Sequence, residues 1–461
     1  MFAAGDICMK RKNIDMCNGP ILKNVILYTV PIILTSVLQL LFNAADLIVV
    51  GQFRGNLSVG AVGATAPIIN LIINLFMGLS VGASVAVAHS MGAGNDEDVH
   101  RTVHTAIPAA VISGVFITVF GMFFAKKLLE ITGTPPDIID LSTSYLKIYF
   151  AGVIFVMLYN FGSAILRAVG DTKSPLLFLT VAGVLNVFLN VFFVYSLGMD
   201  VDGVALATTI SQAVSATLVT IALMRRTDAC RLAIRDLHIY WLPLKRIVSI
   251  GLPAGIQGSL FSISNVIIQS SINSFGSVAV SGCSAAGSIE GFVYVAQNSF
   301  QQTVMNFSSQ NLGAGNRKRV KKLIFVCLCC AAATGIVLGV TVRIFAKQLL
   351  SIYIGDSAET ISAGIVRISF ICLPYAFCAL QDTMTGALRG IGVSVPPMII
   401  CIFGVCVFRV IWIKTVFHMF NTLECIFISY PISWVITFIA EAITYFIVKK
   451  NLLDVPEKEA A

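Results

Sequence analysis

Met91-Gly92-Ala93-Gly94-Asn95 returns as Leu312-Gly313-Ala314-Gly315-Asn316 about 221 residues later. Leu166-Arg167-Ala168-Val169-Gly170, running into Pro175, returns at about the same offset as Leu388-Arg389-Gly390-Ile391-Gly392, running into Pro396 and Pro397. Pro31 and Pro253 make a third pair, each opening an apolar segment. Three pairs in one register over half the chain mark the duplication of one unit. In a membrane protein, such a duplication points to a transporter whose path lies between two related halves.

Composition makes this a membrane protein. Of the 461 residues 57% are apolar and 12% charged, against roughly 25% charged in soluble domains, and the mean hydropathy is +0.88. Windows of about 20 residues with few charges, the length that crosses the hydrocarbon core, recur twelve times, six in each half. Lipid offers no water to the backbone, so each window must be a helix. The predicted fold is an all-α integral membrane protein with twelve transmembrane helices in two six-helix lobes. An even count per unit inserts both copies in the same direction, which sets a pseudo-twofold axis along the membrane normal. The expected partition is a segment 1–24, an N-lobe 25–224, a linker 225–245, a C-lobe 246–448 and a tail 449–461.

Lys and Arg set the orientation. Lys10, Arg11, Lys12 and Lys23, the linker arginines with Lys245 and Arg246, the Arg317–Lys322 cluster, Arg101, Arg167, Lys173, Arg389 and the C-terminal lysines up to Lys458 place about 22 of the 31 basic residues on one side. The other side carries Asp137, Asp140, Asp200, Asp202, Asp356 and Glu359. Both termini and the linker are therefore expected in the cytoplasm of a multi-pass protein of the cell (inner) membrane. Topology accounts for the net charge of +8, and no nucleic-acid partner is needed. Residues 1–24 are polar, which leaves the first apolar segment itself to direct insertion. The twelve cysteines are scattered without a paired CxxC motif and read as small packing residues.

Polar groups inside the helices carry the chemistry, because burying them in lipid is costly. Gln39, Asn43 and Asp46 share one face of the first helix. A carboxylate at that depth can bind a cation or exchange a proton. Asn186 and Asn190 stand one turn apart on the fifth helix, and Asn160 lies on the fourth. Their amides offer oxygens to a cation without adding charge. In the second half, Glu290, Tyr294, Gln297 and Gln301 form a polar stripe down the eighth helix, expected to line a water-filled cavity. Asn265, Gln269 and Asn273 lie on the seventh helix, and Gln381 and Asp382 on the tenth. The repeat sets Asp382 opposite Asn160, with Asp382 either a coupling group or the partner of a buried arginine such as Arg409. Arg367 and Arg409 read as partners for carboxylates or lipid headgroups, and Glu441 as structural.

These residues carry a resemblance. Gln39-Leu-Leu-Phe-Asn43-Ala-Ala-Asp46, the Ala164–Pro175 stretch and Gln310-Asn311-Leu312-Gly313-Ala314-Gly315-Asn316 resemble, in combination, motifs of the multidrug and toxic compound extrusion (MATE) family. The resemblance runs over essentially all of residues 20–450. It implies a secondary antiporter that exports amphipathic, usually cationic, compounds against inward Na⁺ or H⁺ flow. It further implies that Asp46 takes part in cation coupling, with Asn160 and Asn186 near the same site. Many family members carry an Asp where this chain has Asn190, so the N-lobe site has one carboxylate fewer, and Asp382 and Glu290 gain weight as supplementary sites.

The expected coupling set is Asp46, Asn43, Asn160, Asn186, Asn190 and Asp382. The expected substrate cavity comprises Gln39, Asn265, Gln269, Glu290, Tyr294, Gln297, Gln301 and Gln381. The expected partners are small-molecule substrates and the bilayer, with the chain acting as a monomer. No cofactor beyond the coupling ion and no structural metal is expected. A flippase for lipid-linked oligosaccharides keeps the same architecture, but its pyrophosphate cargo calls for basic groups in the cavity. No nucleophile motif, phosphate loop or metal-ligand cluster speaks for an enzyme.

Overall fold

The computed structural model describes residues 13–355 and 357–454. Lys10, Arg11, Lys12, Asp356 and Lys458, counted in the charge balance above, lie outside the described residues. Helices follow in the order α1 (Ile21–Arg54), α2 (Asn56–Gly92), α3 (Asp96–Ile131), α4 (Ile139–Ala168), α5 (Lys173–Ser196), α6 (Val201–Met224), α7 (Trp241–Asn273), α8 (Gly276–Gly313), α9 (Arg317–Ile344), α10 (Ala346–Ile354), α11 (Ala358–Ile371), α12 (Tyr375–Gly390), α13 (Val395–Phe420) and α14 (Leu423–Leu452). Among the described residues, eleven are long and apolar enough to cross a membrane, and α11 with α12 makes a twelfth crossing bent by 48°. That bend corrects the sequence expectation of one continuous tenth helix. Pro374 has no amide hydrogen to donate to the preceding turn, and its ring crowds that turn.

The duplication is written in the turns. Left-handed residues pair across the two halves: Gly55 with Gly276 (φ 86° and 85°), Gly94 with Gly315 (64° and 73°), Gly133 with Gly355 (73° and 67°), Gly170 with Gly392 (88° and 88°), and Gly198 with Asn421 (70° and 44°). Asn421, the non-glycine of the set, is of a residue type that tolerates this conformation. In the opening motif, Gly94 and Gly315 turn the chain out of α2 and α8, and the Asn95 side chain then caps α3 by accepting from the Asp98 amide at 3.0 Å. Even a π-helical turn repeats, Phe192–Ser196 in α5 and Ile413–Phe417 in α13.

The other glycine of the motif serves the axis. A Cβ on Gly92 would lie 1.8 Å from the Gln310 carbonyl oxygen, and one on Gly313 would lie 2.0 Å from that of His89. The contact is reciprocal, as a twofold relation requires. Ser84 donates to the Asn306 side chain at 2.7 Å, two residues 222 apart, so the axis passes between them. Gly78 and Gly82 of α2 meet Gly251 and Gly255 of α7 backbone to backbone, with would-be Cβ contacts of 2.2–2.9 Å between them. Small residues permit such approach where lipid supplies no hydrophobic drive.

These contacts gather at the end that carries the linker. Asn311 donates to the Met16 carbonyl at 2.9 Å, Asn306 to the Tyr28 hydroxyl at 2.9 Å, and Arg246 pairs with Asp98 at 2.5 Å. Toward the other end, the last hydrogen bonds between halves among the described residues are Ser259 to the Leu71 carbonyl (3.0 Å) and Asn74 to Ser262 (3.3 Å). Beyond these mid-helix contacts the halves part, and the bundle is closed at one end and open at the other. Gly313→Val is expected to force α8 off α2, destabilising this closed form by about 1–3 kcal/mol, the range for overpacking. Spin-label distances across the closed end would lengthen in the variant; unchanged distances would refute the role given to the motif.

Candidate functional site

A chamber of about 640 Å³ lies between the halves. Gln39, Asn43, Asp46, Asn160 and Asn186 line it from the first half, and Tyr294, Gln301 and Asp382 from the second. All of these were singled out from sequence. The second repeated motif adds what sequence reading missed: Arg167 and Arg389, equivalent residues, also line the chamber. Counted as interfacial basic residues on position alone, they face the interior. Arg389 is buried and donates to Gln257 Oε1 at 2.7 Å. The wall thus presents two carboxylates and two guanidinium groups.

Asp46 sits in a closed ring of hydrogen bonds. Asn190 Nδ2 donates to Asp46 Oδ1 at 2.5 Å and lies 3.2 Å from Asn186 Oδ1. Asn186 Nδ2 donates to Thr208 Oγ1 at 3.3 Å, and Thr208 Oγ1 donates to Asp46 Oδ2 at 3.3 Å. Asn190 is fully buried behind the carboxylate, and its own Oδ1 has no partner. The i, i+4 spacing on α5 aims both amides at one place. Thr208 of α6 was missed. Its one signal is a polar run, Thr208-Thr209-Ile210-Ser211-Gln212, in an otherwise apolar helix. Asn160 lines the chamber, but its Nδ2 donates to the Val156 carbonyl at 2.7 Å rather than to Asp46. Asn43 is exposed to the chamber outside the ring.

The stripe on α8 divides. Tyr294 and Gln301 face the chamber. Gln297, expected beside them, is fully buried, lines neither cavity described here, and lies 3.3 Å from where a Cβ on Gly335 of α9 would sit. A stripe repeating every three or four residues drifts around a long helix, and a lone amide in it can turn toward a neighbour. Glu290 is not a free cavity carboxylate either. It accepts from Arg367 Nε (3.0 Å), Arg367 Nη2 (2.8 Å) and the Tyr375 hydroxyl (3.0 Å). Glu290, Asn265, Gln269 and Gln381 line a second cavity within the C-terminal half, and Asp382 lines both. Gln269 donates to Asn273 at 3.0 Å, and Gln381 donates to Thr385 at 3.3 Å. Asp382 does not pair with Arg409; it is buried, without a hydrogen bond among the described residues. Glu441 accepts from Thr385 (2.6 Å) and Cys401 (3.2 Å).

Sequence reading foresaw no metal-ligand cluster, yet His100, His104 and Asp236 bring ligand atoms within 4.8 Å of one another. His104 Nδ1 lies 2.8 Å from the His100 carbonyl, and Nε2 accepts from the Ala233 amide at 3.0 Å. Both ring nitrogens are engaged, Nδ1 within α3 and Nε2 in docking the linker on it. The cysteines among the described residues are all free.

The family model described as MatE matches the chain twice, at residues 31–192 and 253–413, in the register of the duplication. The "Probable multidrug resistance protein YpnP" of Bacillus subtilis is 26% identical over 400 residues, 86% of this chain and 89% of that protein. The "Probable multidrug resistance protein NorM" of Thermotoga maritima is 25% identical over 382 residues, 82% of each. A solved outward-facing multidrug resistance MATE family transporter of the MOP superfamily superposes with a TM-score of 0.89 at 23% identity, over 96% of this chain and 99% of that one.

If Glu290 and Arg367 hold each other, Arg367→Leu alone strands a buried carboxylate and should cost about 3–5 kcal/mol, whereas the double change with Glu290→Leu should cost markedly less. A double-mutant cycle on unfolding in detergent measures this; additive losses would refute the pairing.

Proposed function

Because this chain belongs to the MatE family, whose members are membrane transporters and not enzymes, we propose that it exports amphipathic cationic compounds in exchange for inward Na⁺ or H⁺. The observation that carries this reading is Asp46, a carboxylate on the chamber wall held by Asn190 and Thr208. A fixed carboxylate with amide oxygens beside it can accept a proton or a small cation, and also attract a cationic substrate. Occupation by the coupling ion removes that attraction and competes with the ring's donors, Asn190 and Thr208, for the carboxylate oxygens. The two ligands therefore favour different states of one site, which is what coupling requires.

In this reading the lobes 25–224 and 246–448 rock about the glycine-lined axis, with the linker 225–245 and both termini in the cytoplasm, and one chain suffices. The open end faces outward, away from the Arg246–Asp98 pair. Relatives named for multidrug resistance support export and do not favour the lipid-precursor flippase. Asn43, Asn160, Asn186 and Asn190 tune the site at Asp46, and Asp382 supplies a second carboxylate across the chamber.

The test is efflux of a fluorescent monocation from proteoliposomes under Na⁺ and pH gradients, imposed separately. One gradient should drive wild-type efflux. Asp46→Asn should cut the gradient-driven rate by at least tenfold and weaken dye binding. Export by Asp46→Asn at the wild-type rate removes Asp46 from coupling, and indifference of the wild type to both gradients removes the antiporter.

A further inference from the structure

The second cavity, about 340 Å³, lies wholly within the C-terminal half, walled by α7, α8, α11, α12, α13 and α14. Four charged side chains of alternating sign line it: Glu290, Arg367, Asp382 and Arg409. The first two neutralise each other, and Tyr375 takes the remaining oxygen of Glu290. Glu290 is thereby spent on other donors and forms no ion pair with Arg409.

Arg409 is 4% exposed. Its Nε donates to Ser433 Oγ at 3.0 Å, and its guanidinium carbon lies 3.8 Å from the Tyr430 ring centre and 5.7 Å from that of Trp434. Among the described residues its terminal nitrogens make no hydrogen bond. Asp382, 6% exposed, accepts none either, and no ion pair joins the two. An arginine does not shed its proton, and a buried charge without a partner is costly. Tyr430 and Trp434 flank the guanidinium, Nη2 is shut off from solvent without a partner, and Nη1 is left as the donor that can meet a carboxylate or phosphate oxygen. One cavity thus keeps on its walls a cation and an anion outside any direct ion pair, Arg389 being the opposite charge that acts on Asp382.

We propose that this cavity binds the zwitterionic end of a substrate, with its anionic group on the edge of Arg409 and its ammonium beside Asp382. Phe261, Tyr294 and Asp382 line both cavities, so the apolar body of such a substrate extends into the chamber. A volume near 340 Å³ matches the lower range of small-molecule pockets. This goes beyond the export reading by adding a second substrate class, amino-acid-like or peptide-like zwitterionic amphiphiles, and it rests on that reading for its role in transport. The binding itself does not.

The test is calorimetric binding to the purified full chain in nanodiscs. The probes are phenylalanylphenylalanine, its methyl ester (cation only) and its N-acetyl form (anion only). The zwitterion should bind at least tenfold more tightly than either, 1.4 kcal/mol for each factor of ten. Arg409→Gln should bring the zwitterion down to the affinity of the ester, and Asp382→Asn should bring it down to that of the N-acetyl form. The wild-type panel decides the matter even where a variant fails to fold: equal binding of the three probes, or binding of none, overturns the site. Efflux of a monocationic dye from the same preparation reports the export reading separately. Dye export with undiscriminating binding rejects the site and keeps export. Discriminating binding without any export keeps the site and rejects export.

Discussion

Where α2 crosses α7 and α8, the backbones approach so closely that no side chain fits at Gly78, Gly82, Gly92, Gly251, Gly255 or Gly313. Helices in lipid associate through packing and hydrogen bonds, since apolar surface gains little by leaving apolar solvent. Glycine is what allows that packing to reach backbone contact. Everything else about the chamber follows from where this happens. The contacts lie at the end that bears the linker, so the halves meet there and part at the other end. Ser84 and Asn306 mark the axis between them with a direct bond.

About that axis the halves are copies in backbone and not in chemistry. Their left-handed turns fall in pairs, and a π-helical turn recurs in α5 and α13. Yet the positions of the second half equivalent to Asp46 are Ile267 and Ile268. The two halves also treat buried charge differently. The first surrounds one carboxylate with neutral donors from α5 and α6. The second joins Glu290 to Arg367 and leaves Asp382 and Arg409 outside any direct ion pair. Without water, an unsatisfied charge is expensive, so a charge kept unpaired in a cavity marks a place prepared for a ligand.

The fold was largely legible in the sequence because its determinants are local or periodic. Twenty-residue apolar windows, glycines at turns and an offset near 222 need no knowledge of distant contacts. The exception was the tenth crossing, where Pro374 breaks a window that hydropathy alone leaves intact. The site was legible residue by residue and less so in its pairings. The face shared by Gln39, Asn43 and Asp46 could be read from spacing, whereas Thr208 could join it only through the packing of α6 against α5.

By itself, the sequence determined a duplicated twelve-helix membrane protein, its repeated motifs and the polar residues able to do chemistry. These follow from the length of a bilayer crossing and from periodicity along one chain. Only the tertiary structure decided which polar groups are spent on each other. Glu290 meets Arg367 across 77 positions of chain, Gln297 turns toward α9 and away from the chamber, and Arg167 and Arg389 come inward from their apparent place at the interface. Electrostatic partnership depends on distance in space, and in a bundle of long helices that distance is set by how faces rotate against one another. Helix rotation is a property of the whole packing, and no single segment encodes it.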